Sequence, residues 1–255
     1  MAVKGLDTFR EYFKDFQDHY TLIGGVACHL ALDEAGIDFR ATKDLDIVLC
    51  AEAIDAVFVA RFWEFVKEGG YEHREKSTGD KQFYRFNKPS NDAFPLMLEL
   101  FSRKPDKIAF EGEGQLTPIP MDEEISSLSA ILLNDDYYQC IEKGKVVIDG
   151  LPVLVTEYIL PFKARAWLDL TARKKSGERV DSKNIKKHRN DVFRIFPLLA
   201  PNKTVEIAES IKSDMREFIT AMAIEEALNI KDFGIRNMPL EEVLNNLSSI
   251  YKLEN

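Results

Sequence analysis

A chain of 255 residues, 45% hydrophobic and 30% charged, has the composition of an ordinary soluble globular protein and room for one large or two modest domains. Its net charge of -9 argues against nonspecific nucleic-acid binding by the whole surface, though not against a local basic patch. No apolar run approaches the ~20 residues that cross a bilayer, and Met1 to Asp7 lack the apolar core of a signal peptide. Cys28, Cys50 and Cys140 are odd in number, widely spaced and set among apolar residues, which fits free thiols better than disulfides or a zinc site. The expectation is a cytoplasmic protein without a membrane partner.

Leu6, Phe9, Phe13, Phe16 and Tyr20 recur at helical spacing and predict an amphipathic first helix packed on a sheet. Gly24-Gly25 ends or turns the connection, and Val26 to Ala35 reads as a second helix stopped near Gly36. His29 within it reads as an ordinary core or surface histidine.

The next stretch, Arg40-Ala-Thr-Lys-Asp44-Leu-Asp46-Ile-Val-Leu-Cys50, places two carboxylates at the mouth of a short buried strand, Ile47 to Cys50. Alternate side chains of an extended backbone share a face, so Asp44 and Asp46 point the same way. Held side by side they repel unless a cation sits between them. Mg²⁺ suits such a site, because it takes hard oxygen ligands and is usually held by one or two carboxylates plus substrate phosphates. Upstream, Ile23-Gly24-Gly25-Val26 offers bare backbone at which a phosphate could approach closely. Asp-x-Asp and Gly-Gly are each common, and most copies are solvated surface or plain turns. Their order singles them out: helix, glycine pair, helix, then paired acids opening an apolar strand.

Residues 52 to 68 predict a helix with Ile54, Val57, Phe58, Phe62, Phe65 and Val66 inward, ended by Gly69-Gly70. Tyr71 to Arg74 and Lys81 to Phe86 read as strands about Ser77-Thr78-Gly79-Asp80, with Phe83 and Tyr84 as sheet-packing residues. Phe94 to Phe101 reads as a strongly apolar strand whose single charge is Glu99. A carboxylate buried there without a partner is costly, so two readings stand: Glu99 faces solvent, or it has a cation. If its strand neighbours the Asp-x-Asp strand, Glu99 becomes a third metal-facing acid.

Leu128 to Leu133 reads as a strand and Asp135 to Lys143 as a short helix capped by Asn134. Lys145 to Asp149 and Leu151 to Val155 form a hairpin about Asp149-Gly150, a favoured tight-turn pair. Thr156 is placed to cap a long helix from Glu157. Beyond it the sequence reads as helical, which sets the expected domains at 1–156 and 157–255. The helical half runs through Lys163, Arg165, Trp167 and Leu168 to a polar linker, Arg173 to Arg179. A helix from Lys183 to Arg194 follows, capped by Asp181 or Ser182. Two more are expected, from Thr204 to about Leu228 and from Pro239 onward.

Taken in order, Gly24-Gly25, Arg40-x-Thr42-x-Asp44-Leu-Asp46, Leu98-Glu99-Leu100, Lys163 and Lys187-His-Arg-Asn-Asp191 resemble the nucleotidyltransferase superfamily with a DNA-polymerase-β-like palm, and within it the AbiEii/AbiGii toxin-like family. The chain departs from that pattern in a longer gap between Gly25 and Asp44, in Glu99 where many members carry Asp, and in His188 where many carry an acid beside the lysine. The resemblance implies an α/β (α+β) fold: a palm with a mixed sheet, followed by a C-terminal helical domain. It implies Mg²⁺-dependent transfer of a nucleoside monophosphate from an NTP to an acceptor.

In that scheme Asp44, Asp46 and Glu99 hold two Mg²⁺ ions, with Mn²⁺ as a substitute. One ion lowers the pKa of the attacking hydroxyl and the other stabilises the leaving pyrophosphate. Gly24 and Gly25 present backbone N–H groups to the triphosphate. Lys163 reaches across the cleft to phosphate oxygens and offsets charge developing in the transition state. Lys187 adds a second phosphate contact, and Asp191 orients it or an acceptor group. Thr42 either touches phosphate or only shapes the turn into the strand. On residue type alone, Lys163 reads as a surface lysine, and Lys187 with Asp191 as an i,i+4 surface ion pair.

Some members of this family modify tRNA ends, and others are toxins of toxin–antitoxin pairs or phage-defence systems. Here Arg173, Lys174, Lys175, Arg179, Lys183, Lys186, Lys187 and Arg189 fall within one stretch. It is either a basic surface for an RNA backbone or a solvated linker and helix face. No aromatic platform is interleaved, so base-specific recognition is not indicated. The expected partners are an NTP, an RNA acceptor and a cognate antitoxin protein. The alternatives are transfer to a small molecule or a protein side chain, and a nucleotide-binding protein without turnover. The intact Asp44, Asp46 and Glu99 speak against the last.

Overall fold

Short apolar runs separated by glycine and acidic caps fold into two units in the computed structural model, which describes residues 3–37, 42–50, 53, 55–71, 83–101, 131, 134–200, 202–225 and 228–254. One unit comprises Met1–Met121 and Lys145–Val155, and the other Asp122–Gly144 and Thr156–Asn255. The division is therefore not a single cut in the chain.

The first unit is built on a six-stranded mixed sheet. Its elements are α1 (Leu6–Phe13), β1 (Tyr20–Ile23), α2 (Gly24–Glu34), β2 (Asp44–Leu49), α3 (Ala56–Gly69), β3 (Phe83–Asn87), β4 (Met97–Phe101), β5 (Lys145–Ile148) and β6 (Leu151–Leu154). The strand order is β3-β4-β2-β1-β6-β5. β2 runs parallel to β4 and β6 parallel to β1, while β1–β2, β3–β4 and β5–β6 are antiparallel.

Helical spacing overstated α1. It ends at Phe13, and Tyr20 opens β1 instead. The period misleads because Tyr20 meets the same apolar cluster from a strand, its ring edge-on to Phe9 at 5.4 Å and to Phe13 at 6.0 Å. Offset and edge-to-face rings of this kind add to plain burial. Phe58, Phe62 and Phe65 of α3 complete the cluster. Val57, expected to point inward, is 66% exposed. Asp55 sets the phase of α3 by accepting a hydrogen bond from Phe58 N–H at 2.8 Å, as an N-cap should. Gly70, at φ +59°, ends it. Ile54 and the expected strand from residue 72 to Arg74 lie outside the described residues.

β5 and β6 form the predicted hairpin, with Asp149 at φ +48° and Gly150 at φ +74°. Two successive positive φ values are those of a type I′ turn, whose twist matches the strands it joins.

The second unit holds α4 (Asp135–Gly144), α5 (Thr156–Lys175), α6 (Ser182–Ile195), α7 (Glu209–Ala223) and α8 (Leu240–Ile250), with short 3₁₀ turns at Phe196–Leu198 and Ile230–Phe233. Asn134 caps α4 by accepting from Asp136 and Tyr137 N–H. Asp181 caps α6 by accepting from Lys183 N–H. Two expectations are corrected. Ile131, placed in a strand, is helical, and the rest of Leu128 to Leu133 lies outside the described residues. The helix expected from Thr204 begins only at Glu209, because Val205 donates its N–H to Ile250 O at 2.7 Å and is tied to the end of α8.

None of the three cysteines is in a disulfide; Cys28 and Cys140 are buried and Cys50 is half-buried. Among the described residues no helix is long and apolar enough to cross a membrane.

Candidate active site

The parallel pairing of β2 with β4 puts Asp46 opposite Glu99 and Asp44 opposite Met97. Residues opposite one another on paired strands share a face, so Asp44, Asp46 and Glu99 lie on one side of the sheet. On the far side of β4, β3 sets Arg85 opposite Glu99. On the far side of β2, β1 sets Ile23 opposite Asp46 and ends there, so α2 starts at Gly24 beside the carboxylate.

Gly24 is constrained twice. Its φ is +65°, and a Cβ built on it would stand 1.7 Å from Asp46 Oδ2. Only a residue without a side chain allows that approach. The carboxylate thus sits at the start of α2, where the positive end of a helix favours negative charge. Gly25 is buried in the first turn of the same helix.

Glu99 is buried, 7% exposed, which answers the question its sequence context left open. Its cation here is Arg85, whose Nε and Nη2 donate to Glu99 Oε1 at 2.9 and 2.5 Å. Burial still pushes the Glu99 carboxyl up to about 10, joined by the charge of Asp46, a hydrogen bond shared with Asp46 and the charge of Asp44, against the downward pull of Arg85. Removal from water and neighbouring acids both disfavour the charged form of a carboxyl.

Among the described residues no three His, Cys, Asp or Glu side chains stand as a finished metal cage. The fit to a divalent ion lies in donor chemistry instead. The site offers hard carboxylate oxygens from Asp44, Asp46 and Glu99 on one face of the sheet.

The other expected residues separate into groups. Thr42 is half-buried just before β2, and Arg40 lies outside the described residues. In the helical unit, Lys163 is 6% exposed and its Nζ lies 3.3 Å from Asp191 Oδ2. Asp191 is fully buried and also pairs with Arg194 at 3.2 Å. Neither is the surface group that residue type alone implied. Lys187 is half-buried on α6.

The chain is similar to solved nucleotidyltransferase-like structures. One is an antigenic nucleotidyltransferase-like protein from Paracoccidioides brasiliensis, at 16% identity over 86% of this chain and 89% of that one, with a TM-score of 0.44. Another is a putative nucleotidyltransferase from H. pylori, at 14% identity over 98% of this chain and 96% of that one, with a TM-score of 0.37. No known family profile matches the sequence. No curated protein matches it either.

The basic stretch is also divided. Arg189 is 8% exposed and turned to Glu225 and Asn190. Arg173 is held by Asp169 and Glu178, and Lys174 donates to Ser182. Lys175, Arg179, Lys183 and Lys186 are exposed. Sequence reasoning missed Arg85. Its one signal is a charge interrupting the aromatic run Phe83-Tyr-Arg85-Phe, which acquires meaning only once β3 is paired with β4.

Proposed function

We propose that this protein is a Mg²⁺-dependent nucleotidyltransferase of the AbiEii/AbiGii toxin-like kind, moving a nucleoside monophosphate from an NTP to an RNA acceptor. One observation carries the reading: Asp46 lies in register beside a buried Glu99, with Gly24 stripped of a side chain to make room for it. Asp44, Asp46 and Glu99 would hold the metal, which when bound supplies activation of the attacking hydroxyl and charge stabilisation of the leaving pyrophosphate. Gly24 leaves room for the Asp46 carboxylate at the start of α2. Lys163, steadied by Asp191, is the proposed phosphate contact of the helical unit, with Lys187 as a second. Exposed Lys175, Arg179, Lys183 and Lys186 favour RNA as acceptor, since phosphate contacts by such side chains need no base recognition. In this reading the reaction is that of a toxin restrained by a cognate antitoxin.

The test is incubation with labelled NTPs, Mg²⁺ and total cellular RNA, using the intact protein and Asp46→Asn. Label should enter RNA, and Asp46→Asn should lower transfer about 100-fold or more, since even groups that merely orient metal ligands cost 10–100-fold. Label on a protein or metabolite would instead favour the alternative acceptors. Tight NTP binding without transfer would favour a non-turnover nucleotide-binding protein. Full activity in Asp46→Asn would overturn the metal assignment.

A further inference from the structure

Arg85 belongs to the acid site, although no motif points to it. It stands in register with Glu99, which stands in register with Asp46, so the three occupy one row across β3, β4 and β2. Two of its donors converge on a single oxygen, Glu99 Oε1. Its side chain is 15% exposed and that of Glu99 9%, so the contact is largely shielded from water.

A guanidinium and a divalent ion make the same demand on a carboxylate. A guanidinium does not lose its proton in a protein, so its charge can leave only if the side chain moves. We propose that Arg85 is an internal counter-cation that competes with a divalent metal ion for Glu99, so that the ion reaches full affinity only when Arg85 lets go. This rests on the assignment of Asp44, Asp46 and Glu99 as the metal site. Releasing Arg85 adds a third oxygen donor and removes a repelling positive charge. The freed guanidinium is then a paired donor suited to phosphate oxygens.

Mn²⁺ binding to the full chain tests this, read as loss of the free-ion electron paramagnetic resonance signal. The set is the intact protein, Arg85→Gln, Arg85→Lys and Asp46→Asn, each checked for folding by circular dichroism. The intact protein should bind Mn²⁺ and Asp46→Asn should not. Arg85→Gln should bind about tenfold tighter, the lower end of what one neighbouring charge does to an ionic equilibrium. Arg85→Lys, which keeps the charge but loses the paired geometry, should fall between. A purely structural arginine predicts the opposite sign, because damage to the site weakens the ion's hold. If Arg85→Gln does not fold, Arg85→Lys decides: tighter binding than the intact protein supports competition, and equal or weaker binding overturns it. Binding by the intact protein that Asp46→Asn abolishes, with Arg85→Gln unchanged or weaker, removes the counter-cation role alone. Absence of Mn²⁺ binding in every protein removes the metal site and this inference with it.

Discussion

Gly24 carries a tighter constraint than the acid it serves. Alanine there meets a left-handed backbone, φ +65°, and a carboxylate oxygen 1.7 Å from its methyl group. Gly36 provides the control, because it has φ +70° and nothing within 4 Å of its would-be Cβ. Gly36→Ala should cost about 1–2 kcal/mol for conformation alone. Gly24→Ala should cost clearly more and should weaken Mn²⁺ binding, which Gly36→Ala should not. Thermal melts with and without Mn²⁺ compare them, and equal losses would show that Asp46 is not held by the glycine. That Asp44 and Asp46 share a face was legible, since alternation along a strand is a local argument, whereas the same local arguments left Glu99 open between solvent and a cation. Arg85 was not legible, because its neighbour is chosen by the pairing of β3 with β4 and not by its own surroundings in sequence.

The helices of the second unit are held together by buried charge as well as apolar faces. Asp191 of α6 is fully buried between Lys163 of α5, at 3.3 Å, and Arg194, at 3.2 Å. Removing one partner of a buried pair strands the other charge, so Asp191→Ala should lose about 3–5 kcal/mol in urea unfolding. A loss under about 1 kcal/mol would mean that solvent already reaches these groups. At the start of α5, burial pushes the Glu157 carboxyl up, but hydrogen bonds from Lys203, its own backbone and Thr156, with the charge of Lys203, bring it below the usual carboxylate range. A folded value below the unfolded one, about 4.3, stabilises above the unfolded pKa and loses that stabilisation as pH falls through the folded pKa. The melting difference between the intact protein and Glu157→Gln should therefore shrink from pH 7 to pH 3. It should be at most about 1 kcal/mol at pH 7, since Lys203 is 56% exposed and screened. A difference that persists at pH 3 would refute the ionic account. Apolar periodicity located α6 and α8 well. It overran at Thr204, where a backbone bond from Val205 to Ile250 replaces a helical turn, a contact spanning too much sequence for any local window to hold.

At the scale of the molecule, composition and alternation revealed a mixed sheet and a run of helices, but not how the chain is shared between them. β1 was hidden inside a helical period, and its strand neighbour β6 lies about 130 residues downstream, a pairing set by tertiary contact. The helical unit likewise draws α4 from before the hairpin. That division has a practical consequence for the thiols. Cys28 is fully buried in α2 of the sheet unit, and Cys140 in α4 of the helical unit, where burial pushes its thiol up to about 11. A sulfur shielded by burial resists alkylating reagents, so each reacts only when its surroundings open. The protein therefore carries a separate built-in reporter in each half. Iodoacetamide labelling across a denaturant series, read by peptide mass, should give two distinct midpoints if the halves melt apart and one shared midpoint if they melt as a single cooperative whole.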